Sequence, residues 1–423
     1  MSNRHRFRLF RPVLRPSEGR RLPRELHVRR VGRLARALPD GVRDPGFEIL
    51  LRRIDNAPIL GGNRVQVYFK GQDAFAAMHE AVVGARKEIL LESYIYKDDA
   101  AGRRFLEELS VAARRGVEVN VLADALGSFS TRNAFWQEMK RRGIHVRLYH
   151  PLFSSLWYQP FRDHRKILVV DRRIAFTGGM NIGEEYGSTS ASLGETWRDT
   201  HVRVEGPAAW EMAVVFSEGW VQAGGEPLEL PSLPAEEAAA PGTRILVLDS
   251  RPSRGSAESA SAMAAIVGAA RERVWLTNAY FAPGWAAVRI LGDAAQRGVD
   301  VRLLLPGKTD VPIVRRAAHG YYDRLLARGV RIFEYQTSIL HAKSLTADGY
   351  VTLVGSTNLD FRSFLFNAEC DLLMLDETVA RRAEEAFEDD RLGAVEIHRT
   401  LWRRRTFLEK TGDRFARMLA PVL

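Results

Sequence analysis

Histidine, lysine and aspartate recur in this chain at one fixed spacing, and the pattern occurs twice. The two copies are His164-x-Lys166-x4-Asp171 and His341-x-Lys343-x4-Asp348. Corresponding residues of the two copies are 177 positions apart. Because the chain contains only eight lysines, two chance copies of this pattern would be rare. The repeat therefore predicts two equivalent sets of chemically active side chains.

These side chains suit the transfer of a phosphate ester group. A neutral imidazole can attack a phosphorus atom near pH 7, and a second imidazole can protonate the departing alkoxide. A lysine places a full positive charge against the non-bridging phosphate oxygens. Since one copy supplies only one imidazole, we expect both copies to meet in one shared active site. This chemistry needs no metal and no cofactor, so we expect neither.

Small polar residues follow both motifs in register. The first motif continues as Thr177-Gly178-Gly179-Met180-Asn181 and the second as Val354-Gly355-Ser356-Thr357-Asn358. Glycines allow a backbone to approach a phosphate closely, and amide and hydroxyl groups can donate hydrogen bonds to its oxygens. We therefore predict that Asn181, Asn358 and Ser356 bind phosphate.

One carboxylate in each half of the chain is a candidate for orienting a histidine. Asp199 lies 35 residues after His164, and Glu369 lies 28 residues after His341. A carboxylate that bonds the second ring nitrogen fixes the imidazole tautomer and stabilises the charged ring. We expect each acid to pair with the histidine of its own half.

The duplication extends upstream of the motifs and predicts the fold. Three pairs of segments correspond: 87–94 with 273–280, 115–119 with 297–301, and 142–146 with 328–332. Each half alternates short β-branched runs with stretches of helical apolar spacing. Alternating strands and helices imply a sheet covered by helices. We predict an α/β fold with two homologous domains, each a mixed β-sheet flanked by helices, related by a pseudo-two-fold axis.

Composition predicts the domain boundaries. Residues 1–45 form a basic N-terminal segment, 46–223 the first domain, and 243–423 the second domain, which ends in a basic amphipathic segment. Residues 224–242 are rich in proline, alanine and glutamate and form the predicted linker.

The motifs and their flanks resemble the phospholipase D superfamily. More closely, they resemble bacterial cardiolipin synthases of the short branch that lacks N-terminal transmembrane helices. The closer resemblance is carried by Trp197-Arg198-Asp199-Thr200-His201, Asn358-x-Asp360-x-Arg362-Ser363, Asn367-x-Glu369 and the segment Tyr321–Tyr335. It covers roughly residues 46–423.

The resemblance implies phosphatidyl transfer through a phosphohistidine. His164 would attack the phosphorus, and His341 would protonate the leaving alcohol and then deprotonate the incoming one. Two molecules of phosphatidylglycerol would give cardiolipin and glycerol, with phosphatidylethanolamine as an alternative substrate. The other motif residues would hold phosphate oxygens (Lys166, Lys343, Asn181, Asn358) or the geometry of the motif (Asp171, Asp348).

Charge and hydropathy favour an anionic membrane surface as a partner. The net charge is +10, and residues 1–37 contain 12 arginines against Glu18 and Glu25. Aromatic residues at 153–161 suit lipid headgroups. A basic amphipathic stretch at 401–423 fits either a membrane interface or a helix packed on the core, and we slightly favour the core. No apolar run reaches about 18 residues, and the single cysteine, Cys370, fits a reducing compartment. We expect a peripheral protein on the cytoplasmic side of a bacterial cell membrane.

Three other functions use some of the same features. A hydrolytic phospholipase D would let water accept the phosphatidyl group and give phosphatidic acid. A nuclease of the same superfamily would use both histidines on nucleic acid, which we disfavour because no recognised nucleic-acid-binding module is present. A non-enzymatic membrane scaffold is the least favoured, since both motifs are intact. The sequence does not indicate an oligomeric state.

Overall fold

The computed structural model describes residues 24–55, 57–151, 161–187, 196–251 and 258–420. The strands are β1 (Leu60–Tyr68), β2 (Glu88–Ser93), β3 (Glu118–Asp124), β4 (His145–Tyr149), β5 (Arg162–Asp163), β6 (Lys166–Val170), β7 (Ile174–Gly178), β8 (His201–Glu205), β9 (Thr243–Ser250), β10 (Arg273–Asn278), β11 (Asp300–Pro306), β12 (Arg331–Tyr335), β13 (Lys343–Ala347), β14 (Val351–Gly355), β15 (Asn367–Leu375) and β16 (Ala394–Glu396).

The helices surround this sheet. They are α1 (Arg24–Arg36), α2 (Pro45–Asp55), α3 (Gly71–Gly84), α4 (Ala100–Arg114), α5 (Asn133–Arg141), α6 (Glu184–Gly187), α7 (Pro207–Gln222), α8 (Ala235–Ala239), α9 (Glu258–Ala269), α10 (Gly284–Gln296), α11 (Pro312–Leu326), α12 (Phe361–Leu365), α13 (Glu377–Leu392), α14 (Arg399–Arg403) and α15 (Phe407–Leu419). A short 3-10 helix spans Gly41–Arg43.

One mixed sheet runs through both halves of the molecule. Its strand order is β16-β12-β11-β10-β13-β14-β15-β9-β1-β8-β7-β6-β2-β3-β4. The first half contributes β1 to β8, and the second half contributes β9 to β16. In each half three strands are parallel, β2-β3-β4 and β10-β11-β12. The strand that starts at the motif lysine, β6 in the first half and β13 in the second, pairs antiparallel with the first of these three. The predicted α/β fold with a mixed sheet in each half is confirmed.

Continuous apolar runs form the central strands because helices cover both faces of the sheet. Every residue of β6, β14 and β15 is buried. Three large clusters of buried apolar side chains lie between the sheet and its helices. The rigid sheet fixes the ends of the motif strands, where the chemically active side chains lie.

The N-terminal helices pack on the second half of the molecule. Val31 of α1 and Phe47 and Leu51 of α2 belong to the same buried cluster as Leu276 and Val301. Residues 24–55 were predicted as part of a basic segment and the start of the first domain. In the structure they contribute to the core of the second half. Residues 1–23 lie outside the described ranges.

Candidate active site

The two histidines each precede a central strand of their half. Lys166 starts β6 and pairs with Ser93 of β2, and Lys343 starts β13 and pairs with Asn278 of β10. These equivalent registers place the two motifs at corresponding ends of corresponding strands. The duplicated sequence therefore gives a duplicated local geometry.

Backbone pairing across the two halves brings the motifs together. β5, just before His164, pairs in parallel with the start of β15, and the His164 amide donates to Ala368 O at 2.9 Å. In the equivalent place, the His341 amide donates to Arg198 O at 2.7 Å. Each histidine is thus held next to a segment of the opposite half that leads directly into an acid.

Each histidine is hydrogen-bonded to the acid of the other half. His164 Nδ1 lies 2.9 Å from Glu369 Oε2, and His341 Nδ1 lies 2.8 Å from Asp199 Oδ2. The prediction that each acid pairs with the histidine of its own half is therefore wrong. The physical reason is the backbone pairing between halves, which carries each acid across the molecule.

The two acids have opposite electrostatic environments. Burial raises the pKa of Glu369 to about 7, although Lys166 and a hydrogen bond from Ser356 oppose the shift. Burial also acts against ionisation of Asp199, but Lys343 and the bond to His341 outweigh it and lower the pKa of Asp199. The Asp199 carboxylate is therefore the more firmly ionised of the two.

Both imidazoles are neutral near pH 7. Burial, with the charges of Lys166 and Lys343, holds the pKa of His164 well below its usual range, and Arg362 adds to the effect. Burial and the charge of Lys343 lower the pKa of His341 to about 4, against the opposing influence of Asp199. A neutral ring with Nδ1 bonded to an acid leaves Nε2 available as a nucleophile or base.

The lysines place two cations in the site, in different arrangements. Lys166 Nζ donates to the His164 carbonyl at 2.6 Å. Lys343 Nζ contacts the His341 carbonyl and lies 3.0 Å from Nε2 of the same ring. Burial lowers the pKa of Lys166 to about 7 and that of Lys343 to about 8. An anionic phosphodiester would favour the charged form of both.

The motif aspartates hold turns at the far ends of the motif strands. Asp171 accepts backbone hydrogen bonds from Arg86, Lys87 and Glu88, the nearest at 2.7 Å. Asp348 accepts the equivalent three bonds, from Arg271, Glu272 and Arg273. Both aspartates have positive φ, 53° and 50°. Their carboxylates tie the turn after the motif strand to the start of the neighbouring strand.

The predicted phosphate ligands separate into three cases. Ser356 Oγ donates to Glu369 Oε2 at 2.6 Å and so supports the acid. A phosphate contact from Ser356 stays a prediction. Asn181 Nδ2 donates to Tyr186 Oη at 3.1 Å, and its Oδ1 accepts from Ile95 N. Asn358 Oδ1 is buried and has no hydrogen-bond partner among the described residues.

Aromatic residues that were not predicted as site residues line the two histidines. The rings of Tyr94 and His164 are 4.9 Å apart, and those of Tyr280 and His341 are 5.9 Å apart. Tyr186 Oη lies 3.3 Å from His341 Nδ1. Tyr94 and Tyr280 end the duplicated segments 87–94 and 273–280, and that shared position was the signal that identifies them. The predicted aromatic loop at 153–161 lies, apart from Phe161, outside the described residues.

Within the described ranges, no three histidine, cysteine, aspartate or glutamate side chains are arranged to hold a metal ion. The site consists of two imidazoles, two acids and two ammonium groups at the junction of the halves. It can carry out nucleophilic attack, proton transfer and stabilisation of a phosphate anion.

Comparison with known proteins gives a family for this arrangement. The family model described as "Cardiolipin synthase, PLD-like domain" matches residues 77–196 and 263–391, and each match contains one histidine motif. Cardiolipin synthase 1 of Bacillus anthracis is 30% identical over 99% of this chain and 84% of its own length. Cardiolipin synthase A of Pseudomonas fluorescens strain SBW25 is 36% identical over 88% of this chain and 77% of its own length.

A solved structure shows the same fold. Phosphatidylserine synthase of Haemophilus influenzae Rd KW20 superposes with a TM-score of 0.71 at 15% identity, covering 89% of this chain and all of that one. Together with the family match and the two relatives, this places both motif-bearing halves in one known architecture. The chain belongs to the cardiolipin synthase family of phospholipase D-like proteins.

Proposed function

We propose that this protein transfers a phosphatidyl group from one phosphatidylglycerol to another, giving cardiolipin and glycerol. The crossed pairs His164–Glu369 and His341–Asp199 carry the proposal, because together they supply a neutral nucleophile and a proton donor in one site. The names of the relatives support the lipid substrate.

In the first step, His164 Nε2 attacks the phosphorus of the donor lipid. A P–N bond forms, the bond from phosphorus to the glycerol headgroup oxygen breaks, and His341 gives a proton to that oxygen. Glu369 stabilises the charge that develops on the His164 ring. Lys166 and Lys343 stabilise the charge on the phosphate oxygens. The assignment of His164 as the nucleophile follows the family resemblance.

His341 must be protonated for this step, although its pKa lies near 4 in the free protein. A bound phosphodiester adds a negative charge beside the ring and offsets Lys343, so substrate binding raises the pKa of His341. Substrate binding therefore favours the protonated form of His341, which cleavage of the substrate requires.

In the second step, a glycerol hydroxyl of another phosphatidylglycerol attacks the phosphohistidine. The P–N bond breaks, the new P–O bond forms, and His341 accepts the hydroxyl proton. His164 and His341 are only 7% and 5% exposed, so little bulk water reaches either ring.

We also propose that α15 brings the protein to an anionic membrane surface. The helix packs along α11, with Arg417 Nη1 donating to Gly320 O at 2.9 Å. Its exposed residues include Phe407, Leu408, Phe415 and Met418. Exposed apolar side chains among arginines and lysines suit an interface of anionic lipids. No helix in the described ranges has both the length and the apolar character needed to cross a bilayer.

The first half of α11 connects this surface with the active site. α11 starts at Pro312, shortly after Asp310, which accepts a hydrogen bond from Tyr280 Oη at 2.7 Å. Tyr280 in turn lies beside His341. Binding of α15 to the membrane would therefore also bring α11 to that membrane. The start of α11 lies near the active site, and the membrane contains the substrate.

A product assay tests the proposed reaction. The purified protein would be mixed with labelled phosphatidylglycerol in vesicles, with the His164→Ala and His341→Ala variants as controls, and the lipids would be separated by mass. We expect cardiolipin and free glycerol from the wild type only. Phosphatidic acid alone would identify a hydrolase, and cleavage of nucleic acid without any lipid product would identify a nuclease.

A further inference from the structure

A groove with apolar walls lies between α1, α9, α10 and α12. Its volume is about 100 Å³, and every lining residue in the described part of the chain is apolar. Several of them, including Met263, Ala287, Ile290 and Phe361, are only partly buried. Apolar surface that stays partly open instead of closing in the core is typical of a binding site for an apolar ligand.

The short helix α12 contacts the second motif on one side and the groove on the other. On one side, Asp360 Oδ1 accepts from the Ser363 amide at 2.7 Å, and Ser363 Oγ accepts from the Asn358 amide at 3.2 Å. On the other side, Phe361 and Leu365 line the groove. The polar side of α12 thus supports the motif, and its apolar side forms a wall of the groove.

The strand beneath the groove leads to the same site. Leu345 lines the groove and lies two residues after Lys343 on β13, so both side chains point to the same face of the sheet. Two residues along a strand correspond to roughly 7 Å. A ligand with an anionic phosphate at Lys343 and an apolar chain attached nearby would fit both environments.

We propose that this groove binds an acyl chain of the phospholipid whose phosphate is attacked in the active site. The identity of the ligand rests on the proposed function. The location of its chain rests on α12 and β13, which both contact the active site as well as the groove. Binding energy from the chain, which does not react, would hold the phosphorus in position for attack by His164. The groove would therefore set the dependence of the reaction on acyl-chain length.

The test fills the groove and compares two chain lengths. Ala287→Phe places a ring in the groove, and Gln296→Phe adds the same ring at an exposed position of the same helix. We expect Ala287→Phe to lower kcat/KM for long-chain phosphatidylglycerol by about tenfold and to leave the short-chain substrate nearly unchanged. Gln296→Phe should behave like the wild type. Equal effects of Ala287→Phe on both chain lengths, or no effect on either, would overturn the proposal.

A binding measurement separates this inference from the proposed reaction. A fluorescent fatty acid would be titrated into the wild type, the His164→Ala variant and the Ala287→Phe variant. We expect saturable binding to the first two and at least a tenfold weaker affinity in the third. If Ala287→Phe does not fold, Met263→Gln puts an amide at the partly buried edge of the groove and should weaken binding in the same direction. Undiminished binding to the folded groove variant would contradict the inference, whatever the lipid product assay shows.

Discussion

Glu369 of the second half accepts a hydrogen bond from His164 Nδ1 of the first half at 2.9 Å. His341 and Asp199 repeat this relationship in the opposite direction. Neither half therefore contains a complete pair of histidine and acid. The two halves depend on each other for chemistry as well as for packing.

Replacement of Glu369 by glutamine tests the first of these pairs. An amide cannot stabilise the charged ring of His164 and can select the wrong tautomer, so we expect kcat to fall by about 10³-fold or more, the scale of the equivalent change in a catalytic triad. Steady-state kinetics on phosphatidylglycerol vesicles would measure it. Glu385→Gln, at an exposed position of α13, is the control. Similar losses in both variants would argue against a specific role for Glu369.

The sequence predicted both acids but assigned each to the wrong histidine. A duplicated pattern identifies Asp199 and Glu369 as candidates, yet it contains no information about which half a loop enters. That choice depends on long-range backbone pairs, such as His164 N to Ala368 O, which no local periodicity encodes. The strands were predictable because they rest on alternation and spacing within short segments.

Ser356 illustrates a second limit of sequence reasoning. Its position after the motif suggested a phosphate ligand, and in the structure its hydroxyl donates to Glu369. The residue type shows that a side chain can donate a hydrogen bond. Which group accepts that bond depends on how the folded chain packs. The apolar groove was equally invisible in the sequence, because its walls come from four separate helices.

The activity should depend on pH with a maximum near 7. Burial raises the pKa of Glu369 to about 7, so at lower pH this acid is protonated and no longer stabilises the charged ring of His164. Above pH 7, first Lys166 and then Lys343 lose the charge that binds phosphate, since their pKa values are about 7 and about 8. A profile of kcat/KM against pH would show both limbs. In Glu369→Gln the acidic limb should disappear, and an unchanged acidic limb would contradict this origin.

Asp171 should matter more for stability than for chemistry. Asp171→Ala removes an acceptor for three backbone amides and puts alanine at positive φ, so we expect the free energy of unfolding to fall by about 2–3 kcal/mol. Urea unfolding would measure this, with the exposed Asp389→Ala variant as control. Where the variant stays folded, kcat should remain within about tenfold of the wild type. Loss of all turnover without loss of stability would instead indicate a chemical role.

The exposed face of α15 should determine membrane binding. The double variant Phe407→Ser and Leu408→Ser removes two side chains that are 77% and 82% exposed, and we expect about a tenfold or greater loss of affinity for phosphatidylglycerol vesicles. Sedimentation with vesicles would measure the affinity. Leu392→Ser is the matched control, because Leu392 is 78% exposed at the end of a different helix. Equal binding by both variants would exclude α15 as the docking element.

The measurement that tests the central claim most directly is the capture of the covalent intermediate. The wild type and the His164→Ala and His341→Ala variants would be mixed briefly with phosphatidylglycerol labelled at phosphorus, denatured under alkaline conditions that preserve phosphohistidine, and mapped by peptide mass. We predict label on the His164 peptide of the wild type, much slower labelling of the same peptide in His341→Ala, which lacks the acid for the leaving glycerol, and none in His164→Ala. Label on His341, or continued cardiolipin formation by His164→Ala, would contradict a shared site in which His164 carries the phosphatidyl group.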